Sequence, residues 1–169
     1  MNKVDLKSFL DEKVELYNNP KFIESDPIQI PHLYSLKEDI EIAGFLSATI
    51  AWGNRKMIIK NAYQMMHLMG NAPYDFVMSH NEDNLERLEN FVHRTFNSAD
   101  CIFFLNSLKN IYAKHGGLEA AFSSNFSVKE TDVKNAITNF RELFLSIPHQ
   151  SRSDKHVSNP SAKSSAKRL

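Results

Sequence analysis

The stretch DIEIAGFLSATIAWGNRKMIIK, residues 39–60, decides the fold. From Ile40 to Trp52 it carries one charge, Glu41, and its apolar residues run all the way round a helical projection, the mark of a helix buried on every side. One flank is small (Ala43, Gly44, Ser47, Ala48, Ala51) and the other bulky (Ile42, Phe45, Leu46, Thr49, Ile50). Such a helix lets a neighbour approach closely on its small side while filling a core on the other. At about thirteen residues it is too short for a bilayer crossing, which needs roughly twenty. Gly53 then suits a left-handed C-cap, Asn54 an N-cap, and Arg55 and Lys56 the first turn of a second helix, whose N-terminus could hold an anion.

Upstream, Val4, Phe9, Leu10, Val14 and Tyr17 recur at helical spacing, which predicts an amphipathic helix ending near Asn18-Asn19-Pro20. Pro27 and Pro31 remove backbone donors and restrict the residues before them, so residues 26–32 are expected as an ordered extended connection, clamped to the core by Ile28 and Ile30. Downstream, Gly70 to Pro73 marks a break, followed by a short helix holding Tyr74, Phe76 and Val77, and another over 84–91. Ser98 is the expected N-cap of a helix carrying Ile102, Leu105, Leu108, Ile111 and Tyr112, which Gly116-Gly117 stops. A turn of helix over 118–122 follows. Thr131 or Asp132 then starts an amphipathic helix with Val133, Ile137, Phe140 and Phe144, closed at Pro148. With no period-two run of β-branched residues, the chain reads as all-α: a multi-helix orthogonal bundle around the central helix 40–52.

At 169 residues the chain is long enough for one proper core, which 12 Phe and 6 Met make aromatic and adaptable. Formal charge is zero, so no global basic field announces nucleic acid. Yet up to Glu41 there are nine acidic residues against five basic, and after His149 five basic against one acidic. That polarity fits a partner-facing tail or its plain solvation. The single cysteine, Cys101, excludes an internal disulfide and a four-cysteine metal site. None of the seven histidines forms a short ligand spacing with another histidine or a carboxylate, so no metal and no cofactor is assigned. Without a signal peptide or span, a cytoplasmic location is the default. In residues 91–96, FVHRTF, internal stacking of Arg94 on an aromatic ring is favoured over nucleic-acid contact. Residues 1–148 read as the helical domain. Residues 149–169 read as a polar, basic tail that cannot bury enough surface to order itself, although its last residues look like the opening of a helix.

Several strings together resemble an uncharacterised bacterial family classed as a domain of unknown function: YNNPKFIESDPIQIPH (17–32), DIEIAGFLSATIAWGNRKMIIKN (39–61), APYDFV (72–77), FVHRTFN (91–97), HGGLE (115–119), KHVSNP (155–160) and AKRL (166–169). The resemblance assigns no activity. It implies members that continue past AKRL with further helices, so the tail is expected as the start of a missing C-terminal part.

The order of elements is also similar to that of helix-hairpin-helix DNA glycosylases: a helix of the type IEIAGFLSATIAWGNRKMI, a second helix, an aromatic string, a helix ending in HGG, and a later lysine near a helix start. That resemblance implies a turn meeting duplex DNA, which Trp52, Asn54, Arg55 and Lys56 match, and a lysine nucleophile, which Lys167 matches. Such a nucleophile needs a desolvated amine and an assisting carboxylate, for which no residue follows Leu169, and the target base must be flipped from the stack. The chain alone is therefore expected to be inactive in base removal. The competing expectation is a non-enzymatic helical module that binds a protein partner or a second copy through exposed apolar surface. A ligand pocket between helices is the third.

Overall fold

The computed structural model describes residues 2–124 and 131–168. Among them the α-helices are α1 (Lys3–Tyr17), α2 (Pro20–Ile23), α3 (Lys37–Thr49), α4 (Arg55–Leu68), α5 (Pro73–Ser79), α6 (Glu82–Glu86), α7 (Ser98–Lys114), α8 (Leu118–Ser123) and α9 (Lys134–Phe144). A two-residue antiparallel pair, β1 (Val92–His93) and β2 (Phe96–Asn97), precedes α7. The protein is all-α, as its sequence predicts.

The bulky flank of α3 makes the core. Ile42 and Leu46 are fully buried together with Phe91, Phe96, Phe104, Phe140 and Phe144, and the rings interlock edge to face: Phe104 meets Phe144 at 4.8 Å and Phe96 at 5.2 Å. Such pairs add about 0.5–1.5 kcal/mol each beyond the area they bury. Around α3 lie α4, α5, α8 and the segment of residues 27–33. Glu41, the one charge in the apolar run, accepts the Tyr112 hydroxyl at 2.7 Å and lies 3.7 Å from Lys37. Burial, then that carboxylate, pushes the Tyr112 phenol well above its ordinary range.

α3 differs from the expected helix in one respect. Its small flank is only partly covered: Ala43 and Ser47 are buried, and Pro31 packs beside Gly44. Gly44 and Ala48 are half-buried, Ile40 is exposed, and the flank forms the floor of an open groove of about 710 Å³. Burial on every side, expected from the apolar projection, therefore fails along the strip of Ile40, Gly44 and Ala48.

Local chemistry explains most of the boundaries. Pro27 and Pro31 do not extend the chain; each opens a short 3-10 turn, Pro27–Gln29 and Pro31–Leu33, because a residue without an N–H suits the first turn, where amides have no intrahelical acceptor. Only Ile30 is the clamp, fully buried, while Ile28 is exposed. The N-cap of α7 is Asn97 rather than Ser98: its side chain accepts from the Asp100 amide while Asp100 accepts from the Asn97 amide, a reciprocal box. The short helix expected over 84–91 lies earlier, at α6, capped by Asn81. Gly116 and Gly117, at φ +76° and +95°, stop α7 as expected. α1 forms as expected behind an Asn2 capping box, but none of its side chains is buried.

The tail departs most from expectation. Residues 151–156 form a 3-10 helix, Pro160–Ala162 another, and Ser153, Val157, Pro160 and Ala166 are buried. The reading that this segment lacks partners is corrected, since its anchors are polar: the Arg141 guanidinium of α9 donates to the Asp154 and Val157 carbonyls, and Arg152 and Ser153 reach Asp100. The helix expected to open at Ala166 is absent; Ala166 has φ +46° and Lys167-Arg168 form a turn, with Leu169 outside the described residues.

Candidate nucleic-acid interface

Helix α3 ends one residue before Ile50, and the chain crosses to α4 through Ala51, Trp52, Gly53 and Asn54. Three interactions hold this crossing in place. The Asn54 side chain accepts the Met57 amide at 3.2 Å, as an N-cap should. The buried His93 imidazole joins β1 to the crossing and to α4: its Nε2 lies 3.2 Å from the Trp52 carbonyl and its Nδ1 2.8 Å from the Asn61 amide nitrogen. Because a carbonyl only accepts, the proton belongs on Nε2, and Asn61 donates to Nδ1. Gly53, at φ +104°, is the third. A Cβ there would only push aside the end of the exposed Arg94 side chain, so it is the backbone angle that demands glycine.

Trp52 is then surrounded by polar rings and charge. His93 meets it edge to face at 5.2 Å, His156 stacks on it at 5.8 Å, and the Arg168 guanidinium lies over its ring at 5.1 Å. His156 also meets Phe96 at 5.1 Å. Its Nε2 is buried, 3.5 Å from an Asp100 oxygen, without a hydrogen-bond partner among the described residues. Burial lowers its pKa below the ordinary 6.5, against the pull of Asp100.

Asp100 is the anchor beneath. Fully buried, it accepts from the Asn97 amide at 3.0 Å, from Arg152 Nη1 at 2.8 Å and from the Ser153 hydroxyl at 2.6 Å. Arg152 Nη1 also donates to Asn97 Oδ1 at 2.8 Å and its Nη2 to the Thr95 carbonyl at 2.9 Å. Beside this network the Cys101 thiol is buried and its pKa is pushed up to about 12, which makes it an inert core residue.

Of the residues singled out by sequence, Asn54, Arg55 and Lys56 are exposed and Trp52 is half-buried. Arg55 lies 3.9 Å from Asp26 and its guanidinium is 5.8 Å from the Phe22 ring. Lys167 comes to the same place from the other end of the chain: with Arg168, Gly53 and Arg55 it lines the groove along the small flank of α3. Two further cations were not legible in the sequence as part of this cluster. Among the described residues Arg94 stacks on no aromatic ring; it is exposed at the β1–β2 tip, φ +56°, beside Gly53. Arg168 owes its position over Trp52 to the docked tail. The assembled turn carries Arg55, Lys56, Arg94, Lys167 and Arg168, with Asp26 and Glu41 as the acids along the groove.

These features define an all-α protein with a cation-lipped groove at a helix-to-helix turn. Residues 26–169 match the model of a family described as a protein of unknown function (DUF2400), and the chain belongs to that family. No curated protein and no solved structure matches it. Among the described residues, no helix is long and apolar enough to cross a membrane.

Proposed function

We propose that this protein binds the phosphate backbone of duplex DNA, weakly and without sequence preference, at the turn between α3 and α4. One observation carries the reading: Lys167 and Arg168, more than a hundred residues away in sequence, share a groove with Gly53 and Arg55. Cations gathered from separate parts of the chain around one turn raise the local potential although the net charge is zero. The N-terminus of the 14-residue α4 adds to it, since the Asn54 side chain occupies the Met57 amide and leaves those of Arg55 and Lys56 pointing out of the helix end. Phosphate contacts of this kind position a protein on DNA and do not read its sequence.

The reading is glycosylase-like in where the chain meets DNA. For base removal, an amine nucleophile needs a desolvated setting, and Lys167 is exposed, so its role here is that of a counter-charge to phosphate. A second reading, a helical self-association module, draws support from the exposed apolar residues of α1.

Fluorescence anisotropy with a labelled duplex over a range of salt tests the proposal. Log affinity is expected to fall with log salt at about 0.9 per phosphate neutralised. Replacing Arg55 and Lys56 together by Ala is expected to lower that slope by roughly one to two. No binding at low salt, or binding indifferent to the pair, overturns the reading.

A further inference from the structure

We propose that the groove along the small flank of α3 is the seat for helix α1 of a second copy, so that two chains exchange their N-terminal helices about a two-fold axis. The two halves of this contact are both present in one chain and do not meet within it. Helix α1 carries Leu6, Phe9, Leu10, Val14 and Tyr17, each more than 40 % exposed, and buries none of its side chains. A 15-residue helix is marginal in water without an apolar face to set against something. The groove floor, Gly44, Ser47, Ala48 and Ala51, repeats small residues at helical spacing, and small residues are what allow a second helix to come close. Its volume of about 710 Å³ contains nothing from the described residues. Ser47, 3 % exposed, contributes a buried hydroxyl that has no hydrogen-bond partner among them.

The occupant comes from another chain because no residue of α1 lines the groove of its own chain and the end of α1 is tied to α2. Asn19 Nδ2 donates to the Glu15 and Leu16 carbonyls at 3.2 and 2.8 Å, and Tyr17 meets Phe22 edge to face at 5.6 Å. Those contacts tie the end of α1 to the start of α2, and folding back over two linking residues, Asn18 and Asn19, would break them. Exchange between copies keeps them, and α2 leads directly into Asp26 and Pro27 on the groove lip. Charge sets the direction. The second half of α1 holds Asp11, Glu12 and Glu15 against Lys13, and the lip at the Gly53 end holds Arg55, Lys167 and Arg168 against Asp26. α1 therefore lies parallel to α3, its acidic end beside Arg55. Helix α1 lies outside residues 26–169, which match the family.

An exchanged α1 sets its carboxylates against Arg55, Lys167 and Arg168, the cations of the DNA reading, so helix and phosphate compete for one lip; the exchange is measured without nucleic acid, which keeps its failure and that of the DNA reading separable. Light scattering on the eluting full chain is expected to give twice 19.4 kDa at high concentration, and one chain mass for Leu10→Glu and, separately, for Ala48→Arg. Circular dichroism of each variant confirms that the body is folded. Mixing a Leu10→Cys chain with an Ala48→Cys chain is expected to give a disulfide between the two, with the buried Cys101 silent. A monomeric full chain, a dimer that Ala48→Arg leaves intact, or a cross-link that forms only within a doubly substituted chain would each overturn the exchange.

Discussion

Arg152 and Asp100, 52 residues apart, are joined by a hydrogen bond of 2.8 Å in which the carboxylate has no exposed surface. The same guanidinium spans the capping box of α7 by also donating to Asn97 Oδ1 and to the Thr95 carbonyl. Removing it leaves a buried charge held by neutral donors alone. Asp100 is fully buried but the Arg152 side chain is 36 % exposed, so Arg152→Ala is expected to cost about 1–3 kcal/mol in urea unfolding, the range for leaving a buried group without one of its partners. Arg152→Lys recovers only part, because an ammonium lacks the planar fork. The exposed Lys155→Ala should change stability by under about 0.5 kcal/mol; an equal effect at the two positions would mean that the network does not anchor the tail.

Ending the chain at Pro148 removes Arg152, Ser153 and Val157 together, and with them most of the shell of Asp100. The shortened protein is expected to lose its cooperative thermal transition. In the full chain, trypsin should cut within α1 before it cuts after Arg152, because α1 is exposed throughout and Arg152 is engaged. Early release of the 153–169 fragment would contradict the docking.

His156 ties stability to pH. Burial first, opposed by Asp100, lowers its pKa below the ordinary 6.5, so the folded form holds the proton more weakly than the unfolded chain. The neutral ring's contribution is complete above the unfolded value and is lost as pH falls from there through the lowered folded value. Between about pH 7.5 and 5, the native protein should lose more stability than His156→Phe, with the difference opening as pH passes below the unfolded value. Parallel curves would show that His156 does not carry the effect.

Two glycines separate freedom from necessity. At Gly44 a Cβ would meet Pro31 no nearer than 3.8 Å, an ordinary contact in mid-helix, so Gly44→Ala should stabilise by about 0.5–1 kcal/mol. At Gly53 the same change meets φ +104°, a backbone angle that a side chain rarely adopts, and should destabilise by about 1–3 kcal/mol. Thermal melts of both variants check the signs, which are opposite.

The central helix was legible because an apolar run with one charge has few other fates, and Asn54 and Gly116-Gly117 because capping and helix termination are local chemistry. Misreadings arose where a local rule had two outcomes. Pro27 and Pro31 exclude a helix interior but equally suit the start of a 3-10 turn. Asn97-Ser98 offers two caps, and Asp100 three residues on selects the first. Tail docking escaped because its anchors are hydrogen bonds to Asp100 and from Arg141, which leave no apolar period to read. Around the candidate interface, the Trp52–Lys56 turn was local, whereas Arg94 and Arg168 reach it only through tertiary structure.

The polar anchoring of the tail also orders events in time. Residues 149–168 are synthesised after every helix they fasten, so a nascent chain exposes α3, α7 and α9 while Asp100 still lacks Arg152 and Ser153. Until those side chains arrive, the cap of α7 is an unshielded carboxylate and Trp52 has neither His156 nor Arg168 against it. Docking of residues 149–168 then acts as a latch on helices already made, and if it closes late on the folding path, its loss is expected to speed unfolding more than it slows folding.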